Sequence, residues 1–182
     1  MRLIKLTVLS SLIISLILVT VSCEPDAEMK KTTDYEKKGI VMSGAQVVPA
    51  NSSSALGSMD VSYSKETRTL TYKVTWSGLA DSVANMRIHA LAPVGFPATA
   101  SATFPTGIAQ VVVAASGGIY PQKTSGKFTY AKSGTLSGTL LADGVVVKEQ
   151  DLLNGLYYIN IYPNTPATLA VTGEIRGQIK FQ

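Results

Sequence analysis

The chain has 182 residues, 46% of them hydrophobic and 15% charged, which is enough apolar material for one domain with a real core and excludes a disordered chain. A single cysteine excludes a disulfide framework, and a single histidine makes a poor transition-metal site. The formal charge of +4 is scattered without a basic stripe, so no nucleic-acid partner is expected.

The first segment, "MRLIKLTVLSSLIISLILVTVSC", places Arg2 and Lys5 before a 16-residue apolar run from Leu6 to Val21. A spanning helix needs about 20 residues, so residues 1–22 are expected to be an export signal peptide. Without them the chain keeps 14 lysines and arginines against 12 acids, a formal +2, so the basic precursor charge is a weak clue. Cys23 has no internal partner. Its setting, "TVSC", resembles the lipobox of bacterial lipoproteins, with Thr20 where leucine is usual and Ser22 in a fitting place. That resemblance implies lipidation of Cys23 (palmitate among the acyl chains) and anchoring to the membrane of the bacterial cell envelope, periplasmic or surface-facing. Several acyl chains together anchor stably where one is marginal.

From Glu24 to Lys38, nine of fifteen residues are charged. Residues 23–38 are therefore expected to be the lipidated cysteine and a solvated tether, reaching roughly 20 Å as a flexible coil. Its early acids, Glu24, Asp26 and Glu28, resemble a surface-export signal of some Gram-negative lipoproteins; a plain linker is the simpler reading.

Residues 39–182 read as the folded domain. A strand is expected at Ile40–Val47. "SMDVSYS" alternates Met59, Val61 and Tyr63, and "TRTLTYKVTW" alternates Leu70, Tyr72, Val74 and Trp76 against Thr69, Thr71, Lys73 and Thr75. This period of two predicts an antiparallel hairpin turning at "SKET", with Trp76 a core anchor. Further strands are expected at Asn85–Leu91, Ala109–Ala114, Lys127–Ala131, Thr135–Leu141, Leu156–Ile161 and Ala170–Phe181. "KEQDLLNG" predicts one short helix over Lys148–Gly155, stopped by the glycine. Residues 92–107 and 116–126, rich in Pro, Ala, Ser, Thr and Gly, are expected to be exposed loops. Many short strands between turn residues predict an all-β sandwich or barrel.

Four stretches carry a family resemblance: "MSGAQVVPA" (42–50), "GSMDVSYSKETRTLTYKVTWSGL" (57–79), "NMRIHALAPVG" (85–95) and "GLYYINIYPNTPATLAVTGEIRGQI" (155–179). In order and spacing they resemble the CHRD (chordin-type) domain, most specifically in the "GAQ-x-VP" opening and the "GEIRGQI" ending. The resemblance implies an antiparallel β-sandwich, immunoglobulin-like or superoxide-dismutase-like, in a family without a defined enzymatic activity. In animal chordin such repeats belong to an extracellular protein that binds growth factors.

Family members often carry a His-Ile-His strand and a further histidine, similar to the His-x-His strand of copper–zinc superoxide dismutases. Alternate residues of a strand share a face, so two imidazoles can reach one metal. Here the motif is Arg87-Ile88-His89, and the later position is Tyr162. No metal or other cofactor is expected, and no catalytic residue is marked.

One constellation stands out. Arg87 and His89 share one strand face, Asn160 and Tyr162 another, and Glu174, Arg176 and Gln178 a third. If these strands are neighbours, the residues form one candidate ligand patch suited to an anionic or polyhydroxyl molecule. The plainer reading is a structural network in which Glu174 pairs with an arginine. The expected function is a non-enzymatic binding or interaction module at the cell envelope, whose partner is an envelope or extracellular protein or a polysaccharide. Three alternatives stand beside it: a purely structural envelope component, a superoxide-dismutase-like metal-binding protein, and a carbohydrate-binding module using Phe96, Phe104 and Tyr120.

Overall fold

The computed structural model describes residues 34–103, 106–114 and 131–181. Eight strands follow in chain order: β1 Asp34–Ser43, β2 Leu56–Ser64, β3 Thr69–Ser77, β4 Val83–His89, β5 Ile108–Ala114, β6 Gly134–Leu141, β7 Tyr158–Pro163 and β8 Ile175–Gln178. Two short helices, α1 Glu149–Leu153 and α2 Ala167–Thr172, flank β7. The all-β expectation holds, with two helices in place of one among the described residues. The strands pair as one antiparallel sheet in the order β5-β4-β7-β8-β1-β2-β3-β6. Residues 33–182 form one compact unit. No helix among the described residues is long and apolar enough to cross a membrane.

The alternating residues of β2 and β3 behave as their sequence requires. Met59, Val61, Tyr63, Leu70, Tyr72, Val74 and Trp76 are buried, while Thr71, Lys73 and Thr75 face solvent. Their ladder runs without a slip from Leu56↔Ser77 to Ser64↔Thr69. The buried side chains meet Met86, Ile88, Ile159, Ile161, Ile175 and Ile179 in one core.

The two ends of the sheet approach each other. Tyr72 lies across Gly138 of β6, where a side-chain carbon would collide with the phenol oxygen. Its hydroxyl donates to Gln110 Oε1 on β5 at 3.1 Å, and Gln110 Nε2 donates to the Thr139 carbonyl on β6 at 3.0 Å. A side chain thus bridges the seam where an eighth ladder would close the sheet. A groove of about 550 Å³ follows this seam.

Three boundaries differ from expectation. β1 begins at Asp34, inside the stretch read as tether, because Tyr35 packs on Tyr63 and Phe181 and draws the charged residues into pairing with β2. At its other end the strand stops at Ser43 and turns through a 3-10 turn, Gly44–Gln46. The expected strand Ala170–Phe181 is instead helix α2, bracketed by Pro166 and by Gly173 at φ 91°, followed by the short β8. The expected helix at 148–155 is present as α1, ended by Asn154 and Gly155. The strand expected at Lys127–Ala131 and the loop at 116–126 lie outside the described residues, Ala131 apart.

Candidate functional site

The strands carrying the polar constellation are neighbours, in the order β4-β7-β8. Their register aligns the side chains in rows. Arg87 pairs with Asn160 and Asn160 with Arg176; His89 pairs with Tyr158 and Tyr158 with Gln178. Because Met86, Ile88, Ile159, Ile161 and Ile175 fill the core, these polar residues must stand on the opposite face.

That face is covered. His89, Asn160, Tyr162, Glu174, Arg176 and Gln178 are all buried, and Arg87 is half-buried. The cover includes the loop after β4, whose side chains are mostly exposed but whose carbonyls turn inward. Arg176 donates to the Phe96 carbonyl at 2.8 Å, the Pro93 carbonyl at 3.4 Å and Gln178 Oε1 at 2.8 Å. Gln178 Nε2 donates to the carbonyls of Ala92 and Gly155 at 2.8 and 2.6 Å. Ala98 N–H donates to the Tyr158 hydroxyl at 3.1 Å. The guanidinium of Arg176 also lies 3.6 Å from the centre of the Tyr158 ring, a cation–π contact in a desolvated setting. Burial lowers its pKa.

His89 stacks on Tyr158 with ring centres 4.9 Å apart. Its Nδ1 lies 3.0 Å from the Gly107 carbonyl, and its Nε2 lies 2.7 Å from the Tyr162 hydroxyl. A carbonyl only accepts, so Nδ1 carries the proton; Nε2 then accepts from Tyr162. Burial first, and then the charges of Arg87 and Arg176, push the imidazole down to about 4 against the opposing pull of the Gly107 carbonyl. His89 is therefore neutral at pH 7 with both nitrogens occupied.

Glu174 does not meet an arginine. Its Oε1 accepts from Ser53 Oγ at 2.6 Å, and both carboxyl oxygens lie within 3.1 Å of the Ala80 N–H. Asn51 reinforces the same corner, donating to the carbonyls of Gly173 and Glu174. The loop after the 3-10 turn is thereby fastened to the start of β8. Asn160 donates to the Thr172 carbonyl at 3.0 Å, binding α2 to the face. Gly173 is required there, because a side-chain carbon would collide with the Asn160 amide. Two buried atoms of this layer lack a hydrogen bond, Arg87 Nε and Asn160 Oδ1, and they belong to directly opposed residues. Arg87 instead rests on the Tyr162 ring at 4.9 Å.

The structure thus joins Arg87, His89, Asn160, Tyr162, Glu174 and Arg176 on one face, with Glu174 at its margin. Tyr158, which stacks on both His89 and Arg176, was not singled out from the sequence, although it shares the parity of Asn160 and Tyr162. Asn51 and Ser53 carry no sequence signal, because their partners lie more than 120 residues away. Among the described residues no three His, Cys, Asp or Glu side chains converge where they could share a metal. Of the aromatics considered for carbohydrate binding, Phe96 is exposed, and Phe104 and Tyr120 lie outside the described residues.

A model of the CHRD domain family matches residues 39–179 of this chain. The chain belongs to that family, and the match begins close to the boundary expected from the sequence. No curated protein and no solved structure matches it.

Proposed function

We propose that this chain is an exported lipoprotein, lipidated at Cys23, whose CHRD domain serves as a non-enzymatic binding or interaction module at the cell envelope. The observation that carries this reading is the use made of the polar face. Arg176, Gln178 and His89 spend their hydrogen bonds on the carbonyls of Ala92, Pro93, Phe96 and Gly107. Groups committed to holding a loop do not carry out acid–base chemistry on a substrate. A neutral imidazole between a carbonyl and a phenol holds the loop in place rather than acting as a general base. The domain then works through its outer surface, with an envelope protein or polysaccharide as the partner class.

Growth with an alkyne palmitate tests the anchor. The wild type should take up label and fractionate with membranes, and Cys23→Ser should do neither; normal labelling of that variant would falsify the lipoprotein reading. Metal content tests the absence of chemistry. Residues 24–182, purified without chelator, should hold no copper, zinc, iron or calcium in proportion to protein, whereas near-stoichiometric metal would replace the module with a metal-binding protein and make His89 the first ligand to mutate.

A further inference from the structure

The register places three features at one end of the sheet. The first residue of β1, Asp34, pairs with Ser64; the β2–β3 turn runs from Ser64 to Thr69; and Thr69 pairs with Leu141, the last residue of β6. The chain arriving from the N-terminus therefore enters the domain at the same end at which β6 leaves it. Only residues 24–33 separate Cys23 from Asp34, so the two are at most roughly 40 Å apart even when fully extended.

The turn that leaves β6 there opens with Asp143 and Gly144 and then exposes two valines. Turn tips ordinarily carry Gly, Asn, Asp, Ser or Pro. Here Val145 is 75% exposed and Val146 42%, beside Leu141 at 54%. These valines are not loosely held. One oxygen of Asp143 accepts the N–H groups of Val145, Val146 and Val147 at 2.8–2.9 Å, and Gly144 N–H donates to the Val147 carbonyl at 3.0 Å. Val147 is buried and roots the turn in the core. The N–H groups hold the Asp143 carboxyl below its ordinary range. The result is a rigid apolar knuckle aimed at solvent. The exposed charges at this end of the sheet are of both signs, with Asp34, Glu66 and Asp143 against Arg68 and Lys148, so the surface does not depend on anionic lipid.

We infer that this end of the domain rests on the lipid surface, with Leu141, Val145 and Val146 entering the boundary between headgroups and acyl chains. The inference rests on the lipid-anchor reading. A tether this short keeps the domain beside the bilayer, so even a small apolar contact is favoured by the high effective concentration. The knuckle then orients the domain. The opposite end of the sheet, where β7 leaves and α2 begins, faces away from the membrane toward partners.

The test uses residues 23–182 coupled through Cys23 to a maleimide-headgroup lipid in phosphatidylcholine vesicles, with and without brominated acyl chains. This supplies the anchor chemically, so the outcome is independent of whether the cell lipidates Cys23. Val145→Trp and Val171→Trp are compared, Val171 being 79% exposed on α2 at the far end. Trp76 is buried and serves as the common background. The emission added by Val145→Trp should shift to the blue and be quenched by bromine, that from Val171→Trp should not change, and adding Val146→Asp to Val145→Trp should restore the emission. Equal quenching at both positions, or none at position 145, overturns the inference. So does quenching at 145 that requires envelope proteins in the vesicles, which would assign the knuckle to a protein partner.

Discussion

Along β3 buried and exposed residues alternate, while all six residues of β7 are buried. Both are antiparallel strands of the same sheet, separated by β8, β1 and β2. The β1–β2–β3–β6 half leaves one face to solvent and covers it with threonine, serine and lysine, as half-covered antiparallel sheets do. The β4–β7–β8 half is covered on both faces, by the apolar core on one and by the loop after β4 together with α2 on the other. A strand buried on both faces would ordinarily be apolar throughout. Here the second face is polar because what covers it is irregular backbone, whose carbonyls need donors. Arginine and glutamine on β8 supply those donors. The same residue types therefore mean solvation on one half and internal bonding on the other.

The contrast is broken most strongly at Arg176. Arg176→Ala leaves the acceptors on Pro93, Phe96 and Gln178 without their donor and opens a void against Tyr158. The cost should be about 3–5 kcal/mol, read as a lower urea midpoint. Unchanged stability together with lost binding to an envelope polymer would instead make this face a ligand site.

Acid should act on the same half. The folded pKa of His89, about 4, lies below its ordinary 6.5, so the unfolded chain binds the extra proton first as pH falls. Its contribution is complete above pH 6.5 and is lost as pH drops through that value toward 4. The loss should reach about 3 kcal/mol, seen in midpoints measured across that range. His89→Gln cannot titrate and should flatten the profile there.

Smaller effects refine the comparison. Tyr162→Phe leaves His89 Nε2 buried without its donor and should cost about 1–2 kcal/mol, with the core otherwise intact. On the open half, Lys73→Ala should stay within about 0.5 kcal/mol of wild type by the same urea measurement. A loss at Lys73 comparable to that at Tyr162 would mean that the two halves do not differ as described.

Much of the open half could be read directly from the chain. Met59-x-Val61-x-Tyr63 and Leu70-x-Tyr72-x-Val74-x-Trp76 repeat every two residues, and that period fixes both the strand and its buried face. In β4, β7 and β8 the buried Ile88, Ile159, Ile161 and Ile175 lie one residue out of step with the polar rows, so the same period sets which way those rows point. The cover over that polar face was not readable, because residues 92–107 have the composition of an exposed loop, and the side chains of residues 92–103 are in fact mostly exposed. Only their carbonyls turn inward, and a carbonyl has no letter in a sequence. Glu174 shows the same limit. Charge alone pairs it with an arginine, yet its partners are Ser53 and the Ala80 N–H, one of them a backbone group.

The sequence alone determined that this chain carries an all-β CHRD domain, with Trp76 and the alternating aliphatics inside. Those features follow from local periodicity and from motifs of a few residues. The tertiary structure decided the rest: that β4, β7 and β8 are adjacent, that their polar rows are buried, that His89 is neutral between Gly107 and Tyr162, and that Val145 and Val146 stand exposed at the end where β1 begins. Each depends on residues far apart in the chain arriving at the same place, which periodicity and local composition do not encode.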